Sequence, residues 1–435
     1  MHRTPSRRSR RRYDRLLAVL LAPTLLLGAC EDLTSLTQQA PSRVLADQLY
    51  TPANAQLLVN SAIGDFECAL SNYIVAQGLV GDELGDAQLS QVGWDYDRRT
   101  VVPSLTTYAG QACGFTQVPS MYTPISVARF DADKILTALQ GWTDAQVPGR
   151  QSLIAQSAVF AGYSLVLLSE GMCTASIDVG PELTRAQLAA EAEKRFTTAI
   201  TAGTAANATA LVNAARVGRA RALLGQGKLA EARADAILVP NGFVLNASYS
   251  AVNFRRENLV NTQTYRGNYS TVEPSFRNVT WAGAPDPRVI VMDAGLVGQD
   301  RVTPIWRPAK YATSTTPTPI ASWREARLIQ AEADLATGNV ASAVNAINAL
   351  HAAAGISAYA GGTAAEVLTQ LKEERRRELF LEGQRLADMI RFKVPLTPAP
   401  GTPFPAKGGL YGDQLCFPLP DLERNNNPTL TGATS

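Results

Sequence analysis

Apolar residues recur at helical spacing along most of this 435-residue chain. In LKEERRRELFLEGQRLADMIRF, from Leu371 to Phe392, Leu371, Leu379, Leu386 and Ile390 share one face, and Leu368, Phe380 and Met389 widen it. That period belongs to a helix laid on a core, and it predicts one helix over 364–392. It also predicts helices over 53–79, 122–139, 152–169, 185–201, 213–226, 229–238, 322–337 and 340–354. Thr51-Pro52 and Thr123-Pro124 each read as an N-cap followed by a first helical residue.

Two of these regions match each other. ARALLGQGKLAEARADA from Ala220 and AEADLATGNVASAVNAI from Ala331 align at an offset of 111 positions, with Ala220/Ala331, Leu224/Leu335, Gly227/Gly338 and Ala232/Ala343 coinciding. Small residues let two helices approach closely, and a glycine just past a helix suits a left-handed turn. The pair reads as tetratricopeptide-type helix–turn–helix units; the competing reading is two unrelated alanine-rich hairpins. Between them, over about 240–320, helical periodicity is lost. Asn, Pro, Gly and aromatics dominate there, including Tyr249, Phe254, Tyr265, Tyr269, Trp281, Trp306 and Tyr311. A long irregular insert of this kind is often functional. GWDYDRR around Trp94 is a second aromatic loop.

The charges of the 364–392 helix can pair along it. Glu373 and Arg377 stand four apart; Glu382–Arg385 and Asp388–Arg391 stand three apart. Alone, such a run is a solvated face with surface pairs worth about 0.3–0.5 kcal/mol each.

The N-terminus speaks to compartment. Seven arginines precede the apolar run Leu16–Leu27, which ends in Leu27-Gly28-Ala29-Cys30. The run is short for a spanning helix. Small residues before a cysteine form a bacterial lipobox, so cleavage before Cys30 and lipid on its sulfur are expected. An ordinary signal peptide is the alternative, and the arginine pairs leave a twin-arginine export route open. The whole chain carries 40 basic and 38 acidic residues; without 1–29 it has 33 against 37, about −4. No basic surface interleaved with aromatics remains to hold nucleic acid.

Cys68, Cys113, Cys173 and Cys416 remain after Cys30. An exported chain permits two disulfides in any of three pairings. Cys68–Cys113 is favoured because both lie in the N-terminal third; four buried thiols are the alternative. After residue 29 the sole histidine is His351, so histidine triads and multi-histidine metal sites have no basis. His351 lies in NALHAAAG on a repeat helix and reads as structural. No GxSxG, P-loop or CxxC occurs, and no cofactor is expected. Asp82/Glu83 and Asp95/Asp97 could serve a glycosidase only if folding placed carboxylates across a glycosidic bond.

These parts together resemble the SusD/RagB family. Glu374-Arg375-Arg376-Arg377-Glu378-Leu379, Glu382-Gly383, Arg385, Asp388 and Arg391 follow its E-R-R-R-E-L…E-G…R…D-x-x-R signature. Pro418, Leu419, Pro420, Asn427, Pro428 and Leu430 are similar to its closing segment. Arg324, Ala326, Leu328, Ala331, Glu332 and Ala333 keep its R-x-A-E-x-x-L-x-x-A-E-A helix, while Arg327 stands where an acid is usual. RPAKY at Arg307–Tyr311 looks like its Lys-Tyr element.

The resemblance implies a mainly α, SusD-like fold. Tetratricopeptide-type helix pairs, at about 152–238 and 322–392, would form a scaffold with a large loop-rich insert. Residues 1–29 would be a signal peptide, 30–45 a lipidated tether, and 46–435 a single domain. It also implies a non-catalytic, surface-exposed outer-membrane lipoprotein that captures an oligosaccharide and hands it to a TonB-dependent SusC-like barrel. Under it the charged helix is structural. Sugar C–H faces stack on indole and phenol rings, so Trp94, Tyr96, Trp281 and Trp306 are the candidate ligand contacts, each with a competing role in the core. The alternative function is a peptide-binding scaffold or an uptake subunit for a non-glycan nutrient; an enzyme is a more distant third.

Overall fold

A computed structural model of the protein describes residues 46–89, 91–110, 113 and 117–432. Met1–Thr51 and Pro52–Ser435 form separate units, and the described part of the first includes a short helix at Ala46–Leu49. The arginine-rich start, the apolar run and Cys30 lie outside the described residues.

The second unit is mainly helical. Its principal helices are α1 (Ala55–Val80), α2 (Tyr122–Gly141), α3 (Arg150–Gly171), α4 (Arg185–Ala205), α5 (Thr209–Gly225), α6 (Leu229–Ala236), α7 (Trp323–Ala336), α8 (Val340–Ala354), α9 (Ala364–Glu378) and α10 (Arg385–Phe392). Short strands are β1 (Leu84–Asp86), β2 (Thr174–Ser176), β3 (Glu182–Thr184), β4 (Val244–Ala247), β5 (Ser270–Val272), β6 (Thr280–Trp281), β7 (Ala284–Pro285), β8 (Val291–Val297), β9 (Pro304–Pro308) and β10 (Thr318–Ser322). They pair antiparallel as β1–β5, β2–β3, β4–β10, β6–β7 and β8–β9.

Helix α3 is apolar all round because α1, α2, α4 and α5 pack against it. Its Tyr163 meets Phe196 of α4 edge to face at 5.0 Å. Phe196 fits only because Gly162 and Gly218 face it: a Cβ on Gly218 would stand 2.3 Å from the ring.

The two similar hairpins are α5/α6 and α7/α8. Their turn glycines, Gly227 and Gly338, have φ of 75° and 78°. Lys228 N donates to Leu223 O at 3.0 Å, and Asn339 N donates to Asp334 O at 2.8 Å, the same bond at positions 111 apart. The hairpins stack, with α5 and α6 against α7. Arg233 of one pairs with Asp334 of the other at 2.6 Å. Arg327 caps the open end of α6, donating to Ala236 O at 3.2 Å and Val239 O at 2.6 Å. This accounts for a cation where the resemblance anticipates an acid. The insert leaves and re-enters this stack through the β4–β10 ladder, where Val244 pairs with Ser322.

Several expected boundaries move. Ala55 begins the first long helix after a 3₁₀ turn at Pro52–Asn54. Helix α2 begins at Tyr122, so Thr123 lies inside it rather than capping it; its hydroxyl donates to Ala109 O. The helix expected over 364–392 is broken between Glu378 and Arg385, with Leu381 at φ 54° and Gly383 at φ 78°.

Distant residues satisfy the backbone at this break. Leu381 N donates to Glu83 Oε1 at 2.7 Å, and Leu386 N donates to Gln77 Oε1 at 3.1 Å. Lys310 donates to Phe380 O at 2.9 Å, and the Tyr311 hydroxyl to Leu381 O at 3.0 Å, so the Lys-Tyr element docks here. Of the three expected pairs, Glu373–Arg377 (3.4 Å) and Asp388–Arg391 (2.6 Å) form. Glu382–Arg385 does not: Glu382 takes Lys310 at 2.5 Å and Arg385 takes Asp82 at 2.9 Å. The signature helices are thus fastened to α1 and to the insert.

Among the described residues two disulfides are present, Cys68–Cys113 and Cys173–Cys416. The second ties the C-terminal segment to the end of α3.

Candidate functional site

Trp94 lies on the short helix Gln91–Asp97. Its indole is half-buried, and Nε1 donates to Gln88 O at 3.0 Å, which fixes the ring plane. The Lys407 ammonium stands 5.9 Å from the Trp94 ring centre and 5.8 Å from that of Phe404. Its hydrogen bonds run to Asp86 O and Oδ2, both at 2.7 Å. It also pairs with Asp300 Oδ2 at 3.0 Å. Lys407 thereby joins β1, the β8–β9 turn and the C-terminal loop. Arg98 lies 5.8 Å from the Phe404 ring, pairs with Asp95 at 2.5 Å and donates to Gly408 O at 3.1 Å. Phe404 meets Tyr411 edge to face at 5.1 Å. Leu89, Val302 and Leu410, each within two residues of a member of this cluster, are exposed.

The floor of the cluster is polar. Asp86 Oδ1 and Gln88 Oε1 are buried without a hydrogen-bond partner. A Cβ on Gly93 would lie 2.6 Å from Asp86 Oδ1, so only glycine fits there without displacing it. Burial pushes the Asp86 carboxyl up to about 6, against the pull of Lys407. Burial, then the charge of Glu273, hold Asp97 well above the usual carboxylate range.

Trp306 connects to the same layer through β5. Its N–H donates to Thr271 Oγ1 at 2.8 Å, Thr271 donates to Pro304 O at 2.8 Å, and Thr271 pairs with Gly85 of β1. The indole is half-buried, with the Arg277 guanidinium 5.0 Å from its centre.

The other two expected contacts lie elsewhere. Tyr96 is a core residue with no exposed surface; its hydroxyl donates to Pro119 O at 2.8 Å and its ring meets Phe417 at 5.1 Å. Two residues along a helix turn a side chain about 200°, so Trp94 and Tyr96 could not share a face. Trp281 packs edge to face on His351 at 4.5 Å and donates to Ser357 O at 2.8 Å. Sequence reasoning missed Lys407, Phe404 and Tyr411; the glycine-rich AKGGLYG around them was the available signal.

The acidic pairs weighed for hydrolysis are engaged in the fold. Asp82 binds Arg385, and Glu83 accepts from Gln77 at 2.9 Å and from Leu381 N. Asp95 binds Arg98, and Asp97 Oδ2 accepts from Asp86 N at 2.7 Å. No group of three or more His, Cys, Asp or Glu arranged for a metal occurs among the described residues.

The molecule is therefore a helical-repeat scaffold whose loops set a half-buried Trp94 over a largely buried aromatic and cationic cluster. Residues 324–403 match the SusD family, a stretch holding both the R-x-A-E helix and the arginine-rich signature. A SusD superfamily protein from Bacteroides vulgatus is 15% identical with a TM-score of 0.65, covering 87% of this chain and 97% of its own. A SusD-like carbohydrate binding protein from the same organism is 15% identical with a TM-score of 0.64, covering 88% and 98%. A laminarin binding SusD-like protein is 15% identical with a TM-score of 0.61, covering 85% and 96%. No curated protein matches in sequence. The chain has the SusD fold, with a SusD-family segment at its arginine-rich helices.

Proposed function

We infer that this chain is a non-catalytic, lipid-anchored outer-membrane protein that captures an oligosaccharide and passes it to a TonB-dependent SusC-like barrel. Residues 1–29 are its signal peptide, Cys30 carries lipid, 30–45 form a tether, and 46–435 act as one surface-exposed domain. The observation that carries the reading is the Trp94 indole, fixed by its bond to Gln88 O and half-open beside Lys407 and Arg98. A sugar ring stacks on such a face. Trp306 offers a second face on the neighbouring strand layer. Two solved relatives described as carbohydrate binding and laminarin binding support the ligand class. Tyr96 and Trp281 are assigned to the fold.

Calorimetry of residues 31–435 against a glycan panel that includes laminarin tests this. Trp94→Ala and Trp306→Ala should each weaken binding about tenfold or more, roughly 1.4 kcal/mol, while Tyr96→Phe leaves affinity unchanged. Cys30→Ser should move the protein from membrane to soluble fractions. Peptide binding without sugar binding, or glycan turnover abolished by Asp97→Asn, would reject the reading.

A further inference from the structure

A cavity that shares no residue with the Trp94 cluster lies among α3, α4, α5, α7, α9 and α10. Its volume is about 290 Å³, near the small end of the range for small-molecule pockets, about 300–1,000 Å³. Leu224, Ile329 and Ile390 form apolar wall, and arginines and carboxylates line the rest.

Most of those charges are spoken for. Arg221 binds Glu170 through two nitrogens, Nε at 2.8 Å from Oε1. Asp388 takes Arg375 Nε at 2.8 Å and Arg391 Nη2 at 2.6 Å, and Arg391 also pairs with Glu332. Arg185 donates to Ser169 O at 2.7 Å and Glu170 O at 3.0 Å.

Among the residues that line the cavity two atoms are left over, and they are of opposite kind. Arg375 Nη1, a donor, and Glu325 Oε1, an acceptor, are both buried without a hydrogen-bond partner. Both residues line the cavity, and their exposures are 3% and 2%. The nearest cation to Glu325 Oε1 is Arg221 Nε at 3.8 Å, beyond hydrogen-bond reach. Buried polar groups are rarely left unpaired, and an exception calls for an occupant. Four arginines and three carboxylates (Glu170, Glu325 and Asp388) line the chamber, and Glu332, outside the lining, pairs with Arg391, so the formal charge of these eight groups balances. Neither a net anion nor a net cation is demanded; a group that accepts from one atom and donates to the other is. A hydroxyl does both.

We propose that this chamber is a separate site for a neutral polyhydroxyl molecule the size of a single sugar ring. Its hydroxyls accept from Arg375 Nη1 and donate to Glu325, and its C–H face rests on Leu224, Ile329 and Ile390. The site is independent of the Trp94 surface, and so is its test.

Calorimetry with galactose and with myo-inositol on residues 31–435 should show one weak site. Glu325→Gln, which keeps the volume but cannot accept at both atoms, should weaken it about tenfold. Ala186→Trp plugs the lining at an exposed helix position and leaves the core alone; it should abolish binding with an unchanged melting temperature. Trp94→Ala should leave this site intact, which separates its failure from failure of the capture reading. A crystal soaked in galactose should show the ring bonded to Arg375 Nη1 and Glu325. Ordered water alone in the chamber, binding at crystal concentration only, or a preference for glycine or acetate over both polyols would overturn the proposal.

Discussion

His351 Nε2 lies 2.9 Å from Glu374 Oε1, while the other ring nitrogen lies 2.8 Å from Ser357 O. A carboxylate and a carbonyl both accept, so both ring nitrogens must donate, and the buried imidazole is a cation. Burial alone would push its pKa down; the hydrogen bond and charge of Glu374, with the Ser357 carbonyl, more than offset that and hold it above the ordinary value. Arg288, on the far side of Glu374, opposes them.

The sign of the pH dependence follows. A histidine raised on folding contributes fully below its unfolded pKa of about 6.5 and loses that contribution as pH rises through the folded value. Stability should therefore fall with rising pH above about 6.5, and His351→Gln should remove that part of the slope. Burial raises Glu83 to about 7. Its contribution is likewise lost as pH rises from about 4.3 through 7, so the test is the difference between wild type and variant. A neutral ring in the proton spectrum of residues 31–435 at pH 6 would refute the cationic assignment.

Arg385→Ala should destabilise by about 3 kcal/mol, because it strands Asp82 in a partly buried site beside Glu83. Chemical denaturation measures this, and adding Asp82→Asn should recover part of the loss. Unchanged stability with lost ligand binding would instead place Arg385 in the binding surface.

Gly218→Ala should cost about 1–3 kcal/mol by overpacking, since its Cβ would fall 2.3 Å from Phe196 Cζ. Phe196→Leu in the same background should restore part of the melting temperature if the clash is the cause.

Cys416→Ser opens the bridge to Cys173, which closes a 243-residue span. The chain-entropy estimate for such a loop is about 5.5 kcal/mol. Mass mapping without reductant should recover Cys173–Cys416 and Cys68–Cys113 as linked peptides, and a denaturation series should show the loss.

The helix pairs were legible in the sequence because amphipathic spacing and a turn glycine act locally. Gly227 and Gly338 announce their turns without help from elsewhere. The break between Glu378 and Arg385 was not legible, since Leu379, Phe380 and Leu381 keep the apolar run going. What bends the chain there is a set of partners far away in sequence: Glu83, Gln77, Lys310 and Tyr311. Arg385 shows the same limit, with its carboxylate 303 residues away rather than three. At the candidate site, Trp94 and Trp306 could be singled out by type. Lys407 could not, because its significance comes from Asp86, 321 residues distant.

The β4–β10 ladder has a consequence for how such a protein can diversify. Its antiparallel rungs hold the two ends of the insert together, so the stretches of insert that do not touch the helices hang from a closed neck. Lengthening a loop beyond such a closure costs little, about 0.6 kcal/mol per doubling. The exposed tip of the β8–β9 turn, at Arg301 and Val302, can thus be extended while the register of the stacked hairpins stays fixed. Insert residues that grip the helices, such as Arg288, Lys310 and Trp281, stay bound to that register, so the room for variation lies at the loop tips and not at those contacts.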